Sequence, residues 1–369
     1  MSYRVRFVNY PEQYRRLKPK LDAAIRRVLE NGDFILRQDV REFEAGMASR
    51  LGVKHAIGLN SGTDALYLSL LALGIGPGDE VVTVAHTFLA TVGAIVNCGA
   101  TPVLVDVGED HNMDVKLAAQ AVTPRTRAII PVHLNGRMCD MEQVMRLAEA
   151  HGLVVVEDAA QALGARFMGR PAGSFGATSC FSFYPAKILG TPGDGGMVAT
   201  DDDELARKLR GLRDNGRVNW QDQVIGYGFN SRLDNLHAAI LNLKLGHLDE
   251  YIARRREIAR MYEEALSDIP GLRLPPPPSE NSEYFDVYQN YVVRTSRRDA
   301  LAEHLKDSGI ETLISWPLPM HHQDALKLSH FSLPETEAIS REVLSLPLYP
   351  ELTDEEVGVV SGAVAAFFR

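Results

Sequence analysis

Six short runs rich in valine, isoleucine and phenylalanine recur between residues 56 and 200, and segments of helical periodicity separate several of them. The runs are EVVTV (80–84), PVLVDV (102–107), RAIIPV (127–132), LVVVE (153–157), SCFSF (179–183) and GMVAT (196–200). Strands without polar alternation are typical of sheets buried on both faces, and intervening helices favour parallel pairing. The sequence therefore predicts an α/β fold, with a mainly parallel central sheet in a three-layer α/β/α domain.

The pattern of apolar and helical segments changes after residue 232. A long helical run, broken near Gly246, is followed by a proline-rich loop, a strand in YQNYVVRT, a helix in RRDALAEHLKDSG and a strand in IETLIS. Thr353 is a candidate cap for a final helix, and the run Arg254–Arg256 reads as a solvated helix face. We predict a large domain over residues 1–249 and a smaller α+β domain over 250–369, with the N-terminal segment a candidate to pack on the smaller one.

Charge and cysteine content exclude several classes of partner. Lys and Arg total 39 against 48 Asp and Glu, a net charge of −9, so no broad basic surface attracts nucleic acid or an anionic membrane. The sequence shows neither a bilayer-spanning apolar stretch nor the apolar core of a signal peptide. Cys98, Cys139 and Cys180 form no C-x-x-C pair, so we expect buried free thiols in a reducing cytoplasm.

The stretch NSGTDAL, residues 60–66, has the S-x-x-D spacing of a helix cap, with Ser61 and Asp64 at the two ends of the motif. A helix N-terminus that exposes backbone amides at Gly62 is suited to bind an anion such as a phosphate. The motif is equally compatible with a plain cap that binds nothing.

Asp158 directly follows the apolar run LVVVE. Open α/β sheets bind ligands at the carboxyl ends of their strands, and a buried carboxylate there requires a cationic or hydrogen-bonding partner. A helix-capping aspartate is the alternative, and taken alone it is the commoner role.

Lys187 lies in SFYPAKILGTPGDGG, between aromatic residues and a glycine-rich stretch. Most lysines are solvated charges. An amine in a partly desolvated site, however, loses proton affinity and attacks carbonyl groups to form Schiff bases. The aromatic neighbours Phe181, Phe183 and Tyr184 favour such a site.

Together, a lysine, a phosphate-ready helix start and a strand-end carboxylate match the needs of pyridoxal 5'-phosphate (PLP). This cofactor also requires an aromatic face, which Phe88 in AHTFLAT could supply. A nucleotide-binding dehydrogenase is poorly supported, because no G-x-G-x-x-G joins a strand to a helix.

Over nearly its whole length the chain resembles the DegT/StrS family of nucleotide-sugar aminotransferases. The matching stretches are NSGTDAL, GPGDEVVTVAHTFLAT, GATPVLVDV, VEDAAQALGA, CFSFYPAKILGTPGDGG and GFNSRLDNLHAAI. The resemblance implies the aspartate-aminotransferase-like fold, fold type I of the PLP-dependent transferases. It also implies a homodimer with shared active sites.

The resemblance assigns roles residue by residue. Lys187 would bond PLP covalently and later shuttle a proton, Asp158 would pair with the ring nitrogen, and Gln161 would contact the ring hydroxyl. Further cofactor contacts would come from Gly62, Thr63 and Ser182 at the phosphate, Phe88 on the ring, and Asn230 reaching from the neighbouring subunit. Substrate-binding candidates are Tyr184, Arg232 and His321.

Two departures from the family pattern stand out. His237 replaces a glutamine that many relatives carry, and Ser315, Trp316 and Pro317 stand where relatives often have His-Tyr-Pro. The second departure affects sugar specificity rather than cofactor chemistry. A metal site at the adjacent histidines 321 and 322 is rejected, because matching ligands are missing nearby in the sequence, so no metal is expected.

The predicted reaction is ping-pong transfer of an amino group from L-glutamate to a keto-sugar nucleotide, with a 3-oxo hexose favoured by the FNSRLD form. Lysine at 187 argues against the family's dehydratases, in which histidine takes that place. A 4-oxo sugar nucleotide or a keto-cyclitol is an alternative acceptor. A regulatory protein that keeps the PLP scaffold without turnover is the alternative from another class.

Overall fold

A computed structural model describes residues 3–217, 223–280 and 282–369 of the chain. Its strands are β1 (His55–Leu59), β2 (Glu80–Val84), β3 (Thr101–Val105), β4 (Thr126–Ile129), β5 (Val154–Asp158), β6 (Arg166–Phe167), β7 (Arg170–Pro171), β8 (Thr178–Ser182), β9 (Gly196–Thr200), β10 (Tyr284–Phe285), β11 (Tyr291–Arg294) and β12 (Val343–Leu346).

The α-helices alternate with these strands in the first half of the chain and dominate the second half. They are α1 (Tyr10–Asn31), α2 (Gln38–Leu51), α3 (Gly62–Ala72), α4 (Leu89–Asn97), α5 (Val115–Ala121), α6 (Met141–His151), α7 (Asp203–Arg213), α8 (Asn235–Leu245), α9 (Leu248–Leu266), α10 (Arg298–Asp307), α11 (Pro334–Glu342) and α12 (Asp354–Phe368).

The central sheet of the described residues has seven strands in the order β1-β9-β8-β5-β4-β2-β3. The five strands from β8 to β3 are parallel, whereas β9 runs antiparallel to both of its neighbours. The six predicted strands are all present, with ends that differ by up to three residues. The prediction of a mainly parallel α/β sheet is confirmed.

The two faces of the sheet are both buried, as the unalternated valines and isoleucines predict. On β2, the successive residues Val81 and Val82 are each 0% exposed and belong to different hydrophobic clusters. The Val81 cluster includes residues of α3, α4 and α7, and the Val82 cluster includes residues of α2, α6 and α8. Because successive strand side chains point to opposite faces, the sheet lies between two helical layers.

A separate C-terminal core forms around the antiparallel pair β11 and β12, with α9, α10 and α12 packed on it. This C-terminal core also includes Val5, which is 0% exposed and forms a parallel bridge with Ile310. Helix α9 starts at Leu248 and contributes residues to both the C-terminal core and the large core. The boundary at 249/250 stays a prediction.

The structure agrees with some local predictions for the C-terminal part and contradicts others. The helical run breaks at Gly246, and Thr353 forms a full capping box with Glu356. The predicted strand at 310–315 is wrong, because this segment makes only isolated bridges and β11 pairs with β12 instead. The predicted solvated face at Arg254–Arg256 is also wrong, since Arg255 and Arg256 are each 4% exposed.

Within the described residues, no helix combines the length and apolarity needed to cross a membrane.

Candidate active site

A cavity of about 640 Å³ lies at the carboxyl edge of the parallel strands, partly covered by residues from the C-terminal part of the chain. Eight of the residues that were given a cofactor or substrate role from the sequence line it. They are Gly62, Thr63, Phe88, Asp158, Gln161, Ser182, Tyr184 and Lys187. Strand topology explains the convergence, because parallel strands end at one edge of the sheet and their loops share that edge.

Asp158 is the last residue of β5 and is only 6% exposed. One carboxylate oxygen accepts a hydrogen bond from the Thr91 hydroxyl at 2.8 Å, and the other accepts the Ala160 N–H at 3.2 Å. Burial raises the pKa of Asp158, while the Thr91 hydrogen bond and the Lys187 charge oppose that rise. Thr91 is a site residue that the sequence analysis missed.

Lys187 lies in the turn that follows β8 and is half-buried. Burial lowers the pKa of its amine to about 8, although the negative charge of Asp158 opposes the shift. An amine with this pKa is uncharged in an appreciable fraction of molecules near neutral pH, which is the form that attacks a carbonyl carbon.

The end of the cavity suited to a phosphate is built on the start of α3. Ser61 caps this helix, and its hydroxyl oxygen accepts the Asp64 N–H at 3.1 Å. A Cβ added at Gly62 would lie 2.9 Å from the Ser182 Cβ, so glycine is required for β8 and α3 to approach this closely. The predicted cap is confirmed, and the helix N-terminus opens into the cavity.

Two further predicted residues complete the walls. The Gln161 side-chain oxygen accepts the Asn135 N–H at 2.8 Å, which leaves its amide N–H groups for other partners. Phe88 directly precedes α4 and is 61% exposed. A large aromatic ring exposed inside a cavity is available to stack on a planar ligand.

Three predicted residues do not line this cavity in the single chain. Asn230 is exposed and bridges to Asp214, and Arg232 pairs with the Asp214 carboxylate at 2.8 Å. His321 is 0% exposed, and its Nε2 lies 3.3 Å from Glu337. The roles given to these residues stay predictions.

The sequence analysis rejected a metal site at histidines 321 and 322 because no matching ligand lies near them in the sequence, but the fold brings one close. Glu337 of α11 approaches both His321 and His322, and the three side chains could together hold a divalent ion. The hydrogen bond between Glu337 and His321 already accounts for this proximity, so the cluster alone does not indicate a metal.

Trp316 also lines the cavity, at the position where the sequence departs from the family pattern. Its backbone has φ of 50°, and its indole meets the buried His86 ring edge-on at 5.2 Å between centroids. A left-handed backbone is unfavourable for a bulky residue, so packing of the indole holds this conformation.

The residues present fit PLP. The cavity offers an amine of lowered pKa, a buried carboxylate, an exposed aromatic face and a glycine-lined helix N-terminus, the four elements that this cofactor requires. Because these elements line one cavity at one edge of the sheet, a single cofactor molecule could contact all of them.

Comparison with known proteins extends this conclusion. A sequence model of the DegT/DnrJ/EryC1/StrS aminotransferase family matches residues 16–365. The chain is 43% identical over 370 residues to a "Pleiotropic regulatory protein" of Geobacillus stearothermophilus, covering 99% of both chains. It is 46% identical over 354 residues to a "dTDP-3-amino-3,4,6-trideoxy-alpha-D-glucose transaminase" of Streptomyces venezuelae, covering 95% of this chain and 92% of that protein.

Among solved structures, S. venezuelae DesV in complex with a ketimine intermediate superposes with a TM-score of 0.95 at 44% identity. The match covers 100% of this chain and 99% of DesV. Fold and site together define a PLP-dependent aminotransferase. The chain belongs to the DegT/DnrJ/EryC1/StrS aminotransferase family.

Proposed function

We propose that this protein transfers an amino group from L-glutamate to a keto-sugar nucleotide whose carbonyl group is at carbon 3 of a hexose. The Lys187 amine of lowered pKa, in one cavity with the buried Asp158 carboxylate, carries the proposal. The name of the S. venezuelae relative, which specifies an amino group at carbon 3, supports the acceptor.

When bound, PLP supplies an aldehyde that condenses with amines and a ring that withdraws electrons from the substrate carbon. Asp158 would hold a proton on the ring nitrogen, and the hydrogen bond from Thr91 favours the charged form of this carboxylate. Lys187 Nζ, when not bonded to the cofactor, would take a proton from the α-carbon of the amino donor and deliver it to the cofactor, a role suited to an amine with a pKa of about 8. Phe88 and Tyr184 would exclude water from the faces of the reacting groups.

A homodimer with shared active sites belongs to the same proposal. Asn230 is exposed and lies outside the single-chain cavity, so a role at the cofactor phosphate requires a second subunit. Tyr184, Arg232 and His321 are the proposed substrate contacts. Three free buried cysteines support a reducing compartment such as the cytoplasm.

A regulatory protein that binds PLP without turnover is the second candidate, because the G. stearothermophilus relative is named as a regulator. The two candidates share the covalent bond to Lys187 and differ in the reaction of the bound amino group. Turnover with an amino donor and a sugar acceptor separates them.

The experiment begins with borohydride reduction of the PLP-loaded protein and peptide mapping. Lys187 should carry the label and Lys244 should not, although burial also lowers the pKa of Lys244 to about 8. This second lysine does not line the cavity and donates to the Gly190 carbonyl. A label that does not map to Lys187 would overturn the proposed chemistry.

The second part assays 3-oxo and 4-oxo sugar nucleotides with L-glutamate. Faster amination of the 3-oxo series supports the proposed acceptor, and preference for the 4-oxo series contradicts it. An absorbance spectrum of the PLP-loaded protein that stays unchanged whichever amino donor is added would favour the regulatory candidate.

A further inference from the structure

Gln289 lies between β10 and β11, 102 positions after Lys187 in the sequence, yet its side chain is buried against the turn that carries Lys187. It is 6% exposed and lines the active-site cavity. The sequence analysis assigned it no function.

The Gln289 amide binds the backbone on both sides of Lys187. Its Nε2 donates to the Ala186 carbonyl at 2.8 Å, and its Oε1 accepts the Ile188 N–H at 2.9 Å. The Lys187 N–H donates to the Tyr184 carbonyl at 2.9 Å. The peptide groups that flank Lys187 are thus held by one side chain that serves as both donor and acceptor.

The backbone at Gln289 is itself held in place. Arg255 is buried, and its Nη1 donates to the carbonyls of Tyr288, Gln289 and Leu348 at 3.0, 3.2 and 3.1 Å. Tyr288 has φ of 50°, a left-handed conformation that persists only where surrounding contacts enforce it. The Gln289 side chain therefore projects from a segment that is fixed by a buried cation.

The segment 288–290 also contacts the turn at residues 134–136, and Leu134 of that turn lines the cavity. Asn290 Nδ2 donates to the Asn135 side-chain oxygen at 3.2 Å, and the Asn135 N–H donates to Gln161 at 2.8 Å. A Cβ added at Gly136 would lie 2.7 Å from the backbone nitrogen of Gln289. The segment thus packs closely on the 134–136 turn while it holds the Lys187 turn.

We propose that Gln289 is a positioning residue for Lys187: its amide, anchored through Arg255, fixes the direction in which the lysine side chain leaves the backbone. The expected rate effect rests on the proposed function, whereas the structural effects do not. Because a displacement of about 1 Å can cost a reaction roughly 10²-fold, loss of the clamp should lower kcat by about 10- to 100-fold. KM for the amino donor should change by less than about threefold, because Gln289 holds the lysine and not the donor.

The test compares Gln289→Ala, Gln289→Glu and Asn235→Ala, each freed of PLP for the attachment rate and loaded with PLP for the other measurements. Asn235 is the matched control: it is 0% exposed, its side-chain oxygen accepts the Val40 N–H at 3.2 Å, and its Nδ2 donates to Asp39 at 2.8 Å. It joins α8 to α2 and does not line the cavity. Three quantities are measured: hydrogen exchange at the Ile188 amide, the rate of borohydride-trapped PLP attachment to Lys187, and kcat with KM.

Gln289→Ala should speed exchange at Ile188, slow PLP attachment and lower kcat, and Asn235→Ala should change none of these beyond twofold. In Gln289→Glu the carboxylate can still accept from Ile188 but cannot donate to Ala186. Its kcat relative to the unaltered protein should therefore rise as pH falls and the carboxyl becomes protonated. If Gln289→Ala does not fold, the pH dependence of the kcat ratio between Gln289→Glu and the unaltered protein decides alone whether Gln289 positions Lys187: a ratio that does not change with pH would overturn the proposal.

Unchanged kcat and unchanged PLP attachment in Gln289→Ala would overturn the proposal. Equal losses in Gln289→Ala and Asn235→Ala would also overturn it, since they would indicate general destabilisation. The exchange and attachment measurements need no sugar substrate. An unaltered protein that attaches PLP at Lys187 but aminates no sugar would therefore contradict the proposed function and leave the role of Gln289 intact.

Discussion

The Thr91 hydroxyl and the Asp158 carboxylate meet at 2.8 Å, and both side chains are buried. Burial favours the neutral acid, and the hydroxyl favours the carboxylate. The charge state of Asp158, and with it the proposed contact with the cofactor ring nitrogen, therefore depends on Thr91 of α4, 67 positions earlier in the chain.

Thr91→Val should raise the pKa of Asp158 further and lower kcat by at least about tenfold, since a hydrogen bond to a charged group contributes about 1.5–3 kcal/mol. The measurement is kcat across pH. Thr83→Val is the control, because Thr83 is buried like Thr91 and donates to the Ile130 carbonyl at 2.9 Å in the central sheet. Equal losses in the two variants would contradict the assignment.

Lys187→Met should stabilise the PLP-free protein at neutral pH. In the folded chain the pKa of Lys187 is about 8 against an ordinary 10.5, so the unfolded chain binds the proton more tightly. Stability of the unaltered protein should therefore rise with pH between about 8 and 10.5, and this component should vanish in the variant. Denaturant titrations of both proteins across this range measure the difference, and a constant difference would contradict the lowered pKa.

Gly62→Ala should weaken PLP binding by at least about tenfold, equivalent to about 1.4 kcal/mol, because the new Cβ would lie 2.9 Å from the Ser182 Cβ. Cofactor titration followed by absorbance measures the loss. Gly358→Ala, in α12 with nothing within 4 Å of the added carbon, should bind PLP normally and be about 0.5–1 kcal/mol more stable. Normal PLP affinity in Gly62→Ala would show that the close approach is unimportant.

Asp106→Asn should destabilise the fold by about 1–3 kcal/mol. Asp106 accepts the Glu335 and Thr336 N–H groups, each at 2.8 Å, and the Thr336 hydroxyl at 2.7 Å. Leu333, which precedes α11, provides no side-chain cap, so Asp106 serves as the cap from a distant loop. Thr336→Val should lower the free energy of unfolding by less, since it removes only the hydroxyl hydrogen bond to Asp106. Chemical denaturation measures the stability of both variants. A larger loss in Thr336→Val than in Asp106→Asn would contradict this role.

Sequence patterns predicted the parts of the fold that depend on local chemistry. Runs of β-branched residues marked six strands of the central sheet, and Ser61 and Thr353 marked two helix starts. Strand β1 was missed because HAIGL is a short run that contains a glycine and a histidine and lacks the continuous β-branched residues of the other strands. Strand β12 was missed because VLSL directly follows α11 and gains its strand character only by pairing with β11.

In the candidate site, too, residues in local motifs were found from the sequence and residues that act across long sequence distances were missed. Lys187, Asp158 and the start of α3 lie next to strand ends, so local motifs were sufficient to find them. Gln289 acts across 101 positions on Ile188, and Arg255 binds three carbonyls instead of water. Such contacts depend on which distant backbone groups the fold leaves unpaired, and no local pattern encodes that.

The position of Val5 has a consequence for how the molecule is made. This residue fills a place beside Ile310 in the C-terminal core, so material synthesised early completes the packing of material synthesised late. On the ribosome, the segment around Val5 must wait without its partner until the segment around Ile310, about 300 residues later, has emerged. The segment around Val5 and the C-terminal core are then joined by backbone pairing as well as by apolar packing.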